Sequence, residues 1–288
     1  MSYMNIDNLY KNQKIMLFKQ CYAMEKIHGT SAHIQKTVGG RINFFSGGSQ
    51  HASFLSLFNQ DELIPKLLQK SSAPFTIYGE AYGGKMQGMS KTYGSELRFV
   101  AFEVKIGDSW LNVPKAQEFV VSLGLDFVFY KLINTNIEEI DAERDAPSEQ
   151  AKRLGMGDNC LREGVVLRPL EEVVFNSGDR AIAKHKADAF KETNTPRKIV
   201  DPTTLEVLTK AKDIATEWVT RERLNHILTG NNIELKIENI GKVIPLMQDD
   251  ITREAKGEVV LSDEAVKEIS RATALLIKQE SKYQVKEQ

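Results

Sequence analysis

The chain has little of what secreted, membrane and thiolate-metal proteins rely on. Its 288 residues include only two cysteines, Cys21 and Cys160, which form neither a disulfide framework nor a C-x-x-C pair. No apolar run approaches the roughly 18 residues that a membrane helix needs. Residues 1–12 are polar and aromatic rather than basic and then apolar, so they do not predict a secretory signal. We therefore expect a cytoplasmic protein with no membrane partner.

The chain also lacks an excess of charge of either sign, since its formal net charge is −1. A local basic groove can still bind phosphates while the rest of the surface compensates, so the charge balance excludes no class of partner. Hydrophobic residues at 41% and charged residues at 27% describe an ordinary globular protein. The length predicts about two domains.

Short apolar stretches typical of strands alternate with helical segments over the first two-thirds of the chain. Strands are predicted at residues 14–25, 32–36, 42–46, 75–80, 97–106, 164–169 and 181–186. Helices are predicted at residues 62–70, 114–123 and 147–154, two of which begin with a proline suited to a first helical turn.

The character of the sequence changes after Pro202. Three stretches there carry helical apolar spacing, at residues 204–228, 237–254 and 262–282. The predicted fold class is therefore α+β, with a mixed sheet domain over residues 1–203 and a small all-helical domain over residues 204–288.

One lysine stands at the end of a predicted strand and is followed three residues later by glycine. Residues 25–31 read EKIHGTS, and Lys26 in this setting suits an amine that attacks a nucleotide phosphate. The glycine lets the backbone turn tightly and approach a ligand, while Thr30 and Ser31 offer hydroxyls or amides. Alone, K-x-x-G is a weak motif, because a lysine before a turn is usually a solvated strand end.

Three segments further along add acidic and aromatic side chains. Glu80 lies in YGEAYGG (78–84), Phe102 and Glu103 in LRFVAFEV (97–104), and Glu163 in REGVVLRP (162–169). A carboxylate can accept hydrogen bonds from ribose or hold a divalent metal, which favours oxygen ligands, and a phenylalanine can stack on a purine. The structural alternatives are a solvated loop acid and a core phenylalanine.

The last segment, AIAKHK (181–186), places two lysines two residues apart. Side chains alternate faces along a strand, so Lys184 and Lys186 share a face about 7 Å apart and can reach neighbouring oxygens of one triphosphate. The alternative is that they protect an edge strand against aggregation.

In this order, the five motifs resemble the set found in covalent nucleotidyltransferases, the ATP-dependent ligases and mRNA capping enzymes. Within that superfamily, EKIHGT and AKHK resemble RNA ligases of the nick-sealing, double-strand-repair type. The resemblance covers about residues 20–190. It implies a nucleotidyltransferase domain of ATP-grasp-like antiparallel sheets, followed here by the helical domain.

The resemblance implies an ATP-dependent RNA ligase that joins 3′-hydroxyl and 5′-phosphate RNA ends. Lys26 would form a phosphoramide with AMP, pass the AMP to the 5′-phosphate, and release it when the 3′-hydroxyl attacks. ATP and Mg²⁺ or Mn²⁺ would be the cofactors, RNA the partner and RNA repair the role. The chain would act as a monomer.

The resemblance also implies a nucleotide pocket around Lys26. Glu80 would contact the ribose, Phe102 would stack on adenine, and Glu163 would help to bind the metal, with Glu103 as a second candidate. The full set of nucleotide-binding candidates is Glu25, Ile27, His28, Gly29, Thr30, Ser31, Glu80, Phe102, Glu163, Lys184 and Lys186.

Two positions depart from the family pattern. Ser31 stands where many members carry asparagine, and FSGG (45–48) stands where they carry an arginine-bearing segment. Arg41, or the backbone amides of Gly47 and Gly48, are the candidates to replace that arginine toward the RNA or AMP phosphate. Lys210 and Lys212, with Arg221 and Arg223, lie on the first predicted helix of the tail and are further RNA-backbone candidates. A solvated helix face is the alternative.

Two other functions stay open. One is a nucleotide- or RNA-end-binding protein without ligase activity, and the other is a DNA-joining or capping-type nucleotidyltransferase. DNA ligases and capping enzymes usually continue into a β-rich OB-fold domain, whereas residues 204–288 lack short alternating strands. The tail therefore favours an RNA ligase.

Overall fold

A computed structural model describes residues 3–176, 178–190, 200–256 and 258–284. The chain divides into two compact units. The first comprises Met1–Val173 and Ala181–Ile199, and the second comprises Val174–Arg180 and Val200–Gln288. The domain limits at residues 203 and 204 stay a prediction.

Two antiparallel sheets form the first unit. Sheet A contains β1 (Gln20–Lys26), β7 (Tyr130–Asn134), β8 (Gly164–Pro169) and β9 (Ala183–Lys186), in the order β7-β1-β8-β9. Sheet B contains β2 (Thr30–Lys36), β3 (Ile42–Ser46), β4 (Phe75–Gly83), β5 (Leu97–Ile106) and β6 (Ser109–Trp110), in the order β3-β2-β4-β5-β6.

In the described part of the first unit, six α-helices accompany the sheets: α1 (His51–Leu55), α2 (Gln60–Lys70), α3 (Ser90–Tyr93), α4 (Val113–Val121), α5 (Ile137–Asp145) and α6 (Glu149–Arg153). One core contains side chains of sheet B, α2 and α4, among them Ile77, Leu67 and Phe119. A second core contains side chains of sheet A and α5, among them Val165 and Ile140. Each sheet thus has one face covered by its own core.

A buried ion pair links the two sheets. Arg168 on β8 places Nη1 2.9 Å from Oε1 of Glu103 on β5, and each side chain is only 1% exposed. The Arg168 guanidinium also donates to the Leu111 carbonyl at 2.7 Å and contacts Glu172. A buried charge is tolerated only when it is paired, so this pair constrains how the sheets are placed against each other.

Four helices make up most of the second unit: α7 (Pro202–Trp218), α8 (Arg221–Gly230), α9 (Ile240–Glu254) and α10 (Asp263–Gln284). Their apolar sides share a core that includes Leu224, Val243, Met247 and Ile269. No strand occurs among the described residues from 200 to 284. The predicted α+β class, antiparallel sheets followed by helices, is confirmed.

The predicted helix over residues 204–228 is wrong in one respect, because it is interrupted. The hydroxyl of Thr220 accepts a hydrogen bond from the backbone N–H of Arg223 at 3.2 Å and so caps a new helix, α8. Arg221 and Arg223 therefore lie on α8 and not on the first tail helix.

The predicted strand over residues 14–25 is also wrong at its start. Lys14–Leu17 forms a short 3-10 helix, and β1 begins only at Gln20. The strand β7 was not predicted, because it is an edge strand in which only Ile133 is buried, and so its sequence shows no regular alternation. Among the described residues, no helix combines the length and the apolar character that membrane crossing requires.

We predict that Glu103→Ala will lower the free energy of unfolding by about 3 kcal/mol, because it leaves the buried Arg168 guanidinium with reduced compensation. Urea denaturation will measure the change. Glu118→Ala, at an exposed position of α4, is the control and should cost less than about 0.5 kcal/mol. Equal losses in both variants would contradict a structural role for the pair.

Candidate active site

Lys26 ends β1 and lines a cavity that side chains of both sheets enclose. The N-terminal residues Tyr3 to Ile6 also line it. Sheet A and the segment before β9 contribute Met24, Lys26, Val166, Arg168, Ile182 and Lys184, and sheet B contributes Glu80, Phe102 and Glu103. The amine of Lys26, the carboxylates of Glu80 and Glu103, an aromatic ring and a second lysine thus belong to the lining of one cavity.

Glu163 brings three nitrogen-bearing side chains together beside that cavity. Its Oε2 lies 3.0 Å from Nζ of Lys26 and 3.0 Å from Nδ1 of His28, and its Oε1 lies 3.2 Å from Nζ of Lys186. Burial of this 3% exposed side chain favours a higher pKa, but the charges and hydrogen bonds of Lys26 and His28 outweigh it and lower the pKa below its ordinary value. Glu163 is therefore an ionised acceptor for all three groups.

Two glycines make these approaches feasible. A Cβ on Gly29 would lie 2.4 Å from the Ala81 carbonyl oxygen and 2.8 Å from Cγ of Glu80. Gly164 has φ +149°, and a Cβ there would lie 2.1 Å from the His185 carbonyl oxygen. The turn after Lys26 can pack on β4, and β8 can begin next to β9 directly after Glu163, only because both positions lack a side chain.

Phe102 occupies a β-bulge. Tyr78 of β4 pairs with Glu103, but the next residue, Gly79, pairs with Ala101, which leaves Phe102 as an extra residue on β5. A bulge changes the direction of side chains locally, and both Phe102 and Glu103 line the cavity although they are neighbours in sequence. The Tyr3 ring packs edge-on against Phe102, with centroids 4.9 Å apart.

The pKa of Glu80, which lines the cavity, is shifted in the direction opposite to that of Glu163. Burial, together with the nearby charge of Glu163, raises its pKa to about 7, while Lys26 and the Gly29 N–H act in the other direction. Glu80 therefore changes charge near neutral pH, beside an amine and an ionised carboxylate.

The two lysines of β9 serve different neighbours. Lys184 lines the cavity and donates from Nζ to Oδ1 of Asn5 at 3.2 Å. Lys186 contacts Glu163, as described above. Because they are two residues apart on one strand, both lie on the same face of sheet A.

Comparison with known proteins identifies the family of this chain. Residues 19–186, more than half of the chain, match the family model described as RNA ligase. The chain belongs to the RNA ligase family. No curated protein sequence matches this RNA ligase family member.

Solved structures of a Naegleria gruberi RNA ligase are similar to this family member. A mutant with AMP and Mn has a TM-score of 0.52 at 17% identity, over 66% of this chain and 57% of that chain. A mutant with ATP and Mn and a form with PPi each have a TM-score of 0.51 at 17% identity, over the same shares. The match thus spans little more than half of the Naegleria ligase, and it shows the nucleotidyltransferase fold.

Other predicted residues lie at or near the same place in this RNA ligase family member. Ile27 lines the cavity, and Thr30 and Ser31 begin β2, where Ser31 pairs with Glu80. The carboxylate of Glu25 is instead buried at the start of α6, where it accepts hydrogen bonds from the Ser148 hydroxyl at 2.5 Å and the Gln150 N–H at 3.1 Å. Burial raises the pKa of Glu25.

Of the three predicted RNA-binding residues, Arg41 lies in the first unit and is not among the residues that line the cavity, and the other two lie in the second unit. Arg41 lies in the turn between β2 and β3, at the end of β2 that is remote from Thr30. Lys210 and Lys212 lie on α7 of the second unit, both exposed, and Lys210 pairs with Glu206 at 2.8 Å. Their role toward RNA stays a prediction.

The N-terminal segment and Arg168 line the cavity but were not predicted as site residues from the sequence. Tyr3 donates from its hydroxyl to Oε2 of Glu103 at 2.5 Å, and Arg168 binds the other oxygen of that carboxylate. Each carboxylate oxygen of Glu103 thus already contacts another side chain, which disfavours Glu103 as a metal ligand. The aromatic residues at the N-terminus and the arginine in REGVVLRP were visible signals, but only the fold shows what they contact.

The described residues contain no group of three or more His, Cys, Asp or Glu side chains that could hold a metal ion. Glu163 and Glu80 are the carboxylates beside Lys26. Magnesium is commonly bound by one or two carboxylates together with the phosphates of a substrate, and these two acids fit that pattern.

The raised pKa of Glu80 predicts a pH-dependent stability. The folded pKa is about 7, against an ordinary value of 4.5 for a glutamate. The folded protein therefore binds more protons between these values and loses stability as the pH rises through them. Glu80→Gln should remove this loss, and its stability relative to wild type should rise from pH 5 to pH 8 by up to about 3 kcal/mol. Urea unfolding at several pH values will measure the difference. A difference that does not change with pH would contradict the assignment.

Proposed function

We propose that this RNA ligase family member is an ATP-dependent enzyme that joins 3′-hydroxyl and 5′-phosphate RNA ends through a lysyl-AMP intermediate, in RNA repair. The observation that carries the proposal is that Lys26 lines one cavity with Glu80, Phe102 and Lys184, while its Nζ contacts Glu163 beside that cavity. The Naegleria gruberi RNA ligase structures with ATP or AMP and Mn support the choice of nucleotide and metal.

In the first step, the Lys26 amine attacks the α-phosphorus of ATP. Only the unprotonated amine carries the lone pair that forms the N–P bond, so the proton that Lys26 shares with Glu163 must leave first. The Pα–O bond breaks as the N–P bond forms, and pyrophosphate departs. Lys184 and Lys186 lie where they can balance the negative charge that develops on the phosphates.

The remaining residues would hold the nucleoside. Phe102 presents an aromatic ring for the base, and Glu80 presents a carboxylate for a ribose hydroxyl. Apolar side chains of the cavity, such as Met24, Val166 and Ile182, exclude water around the base. Such exclusion strengthens the electrostatic interactions inside the site.

Glu163 and Glu80 would hold a divalent Mg²⁺ or Mn²⁺ ion together with oxygens of the triphosphate. When bound, the ion would neutralise phosphate charge and orient the α-phosphate. The position of the amine itself would be set by Glu163, whose Oε2 lies 3.0 Å from Nζ of Lys26.

In the second step, AMP moves from Lys26 to the 5′-phosphate of RNA. In the third step, the 3′-hydroxyl attacks that phosphate, a phosphodiester bond forms and AMP leaves. Arg41, Lys210 and Lys212 are proposed contacts to the RNA backbone. The cytoplasmic location and the monomeric state stay predictions from the sequence.

Incubation with magnesium and ATP labelled at its α-phosphate should leave the label on the protein, because step one is covalent. Lys26→Ala should abolish the labelling. Glu163→Gln should slow it about 100-fold or more, because the neutral amide has one acceptor oxygen and no charge, whereas the carboxylate contacts Lys26, His28 and Lys186. Electrophoresis of acid-quenched samples will measure it, with Lys66→Ala, an exposed lysine of α2, as the control. Label that persists in Lys26→Ala would refute the lysyl-AMP assignment.

Ligation across nicked and single-stranded ends will identify the acceptor. We expect 3′-hydroxyl and 5′-phosphate RNA ends to be sealed at least about tenfold faster than the matched DNA ends, since the 2′-hydroxyl distinguishes RNA. Binding without a joined product would favour a non-catalytic end-binding protein. Labelling by GTP rather than ATP would favour a capping-type enzyme.

A further inference from the structure

We infer that helix α5 is a positioning element for the two lysines of β9, and that it acts through His185. This inference rests on the proposed function, because it concerns the groups that would bind the triphosphate. His185 stands between Lys184 and Lys186, and therefore on the opposite face of sheet A. It is 0% exposed and pairs in register with Val165, a member of the core behind the sheet.

The imidazole of His185 is held in a closed triangle with two side chains of α5. Its Nε2 lies 2.7 Å from Oδ1 of Asp141 and 2.8 Å from Nη1 of Arg144. Asp141 Oδ1 and Arg144 Nη1 are themselves 2.7 Å apart. The Tyr10 ring packs edge-on against the imidazole, with centroids 5.5 Å apart. The imidazole is thus held by polar contacts at Nε2 and by packing against the Tyr10 ring.

The anchor matters because β9 is short and lies at the end of sheet A. It has four residues and pairs with β8. On its other side, the backbone N–H of Lys184 donates to the Asp7 carbonyl at 2.9 Å, and the Lys184 carbonyl accepts from the Leu9 N–H at 2.8 Å. Rotation of so short a strand about its axis moves the side chains of Lys184 and Lys186 together. The triangle opposes this rotation, because the imidazole that it holds projects from the opposite face of the same strand.

The same helix also contacts the residue before Glu163. Oε2 of Glu143 lies 3.7 Å from Nη1 of Arg162, and Nη2 of Arg162 donates to the Pro147 carbonyl at 2.7 Å. Arg162 is 2% exposed. Helix α5 therefore contacts the residue before Glu163 as well as the residue between the two lysines.

Binding of α,β-methylene ATP tests the inference without any covalent step, because its methylene bridge prevents departure of pyrophosphate. His185→Leu should weaken this binding about tenfold, since it removes the contacts of the ring with Asp141 and Arg144. His185→Gln should bind within about twofold of wild type, because the amide can donate to Asp141 or accept from Arg144. Calorimetric titration with magnesium present will measure the dissociation constants.

Asp141→Ala provides a second variant that does not disturb the core, since the Asp141 side chain is 40% exposed. It should weaken binding in the same direction, and combined with His185→Leu it should add no further loss, because the two residues act through one contact. Glu138→Ala, an exposed position on the same helix, is the matched control and should leave the dissociation constant unchanged.

The outcomes separate this inference from the proposed function. Equal binding by wild type, His185→Leu and Asp141→Ala would overturn the inference, as would equal losses in the leucine and glutamine variants. Wild-type protein that binds the analogue but forms no lysyl-AMP would overturn the proposed function and leave the positioning role intact. Wild-type protein that does not bind it would overturn both.

Discussion

Glu163 is the side chain on which the site depends, because its buried carboxylate holds three nitrogen-bearing groups at about 3 Å. Two of them, Lys26 and Lys186, carry like charges and would repel each other without it. The contact also has a cost for catalysis, because an amine that donates to a carboxylate is not yet a nucleophile. Under the proposed function, the triphosphate would change this balance, since its oxygens would offer Lys186 and Lys184 alternative acceptors and add negative charge beside Glu163.

Three glutamates near the site show how environment decides the chemistry of one residue type. Burial dominates at Glu80 and Glu25 and raises the pKa of both, whereas neighbouring cations outweigh burial at Glu163. Glu25 and Lys26 are adjacent, yet the carboxylate of Glu25 is fixed by the start of α6 while Lys26 lines the cavity. Successive residues of a strand point to opposite faces, so one residue can hold the strand while the next does chemistry.

Much of this could be predicted from sequence where the signal is local. The strands Ile42–Ser46, Leu97–Ile106 and Gly164–Pro169 agree with their predictions, because apolar runs between turn residues determine them. The grouping of Lys26 with residues over 130 positions away followed from motif order and not from spacing. The interruption at Thr220 and the pairing of Arg168 could not be predicted in this way. They depend on one side-chain cap and on which distant partner a buried charge meets.

The bulge on β5 makes the lining of the cavity depend on the number of residues in that strand, which a substitution does not change. Phe102 is the supernumerary residue of that strand, so the aromatic ring and the acid that follows it both line the cavity. Deletion of one amino acid here would restore strict alternation and send one of the two into the opposite layer of the protein. Length conservation in this strand would therefore be as informative as residue identity when new relatives are aligned, and a gap there would mark an altered base pocket.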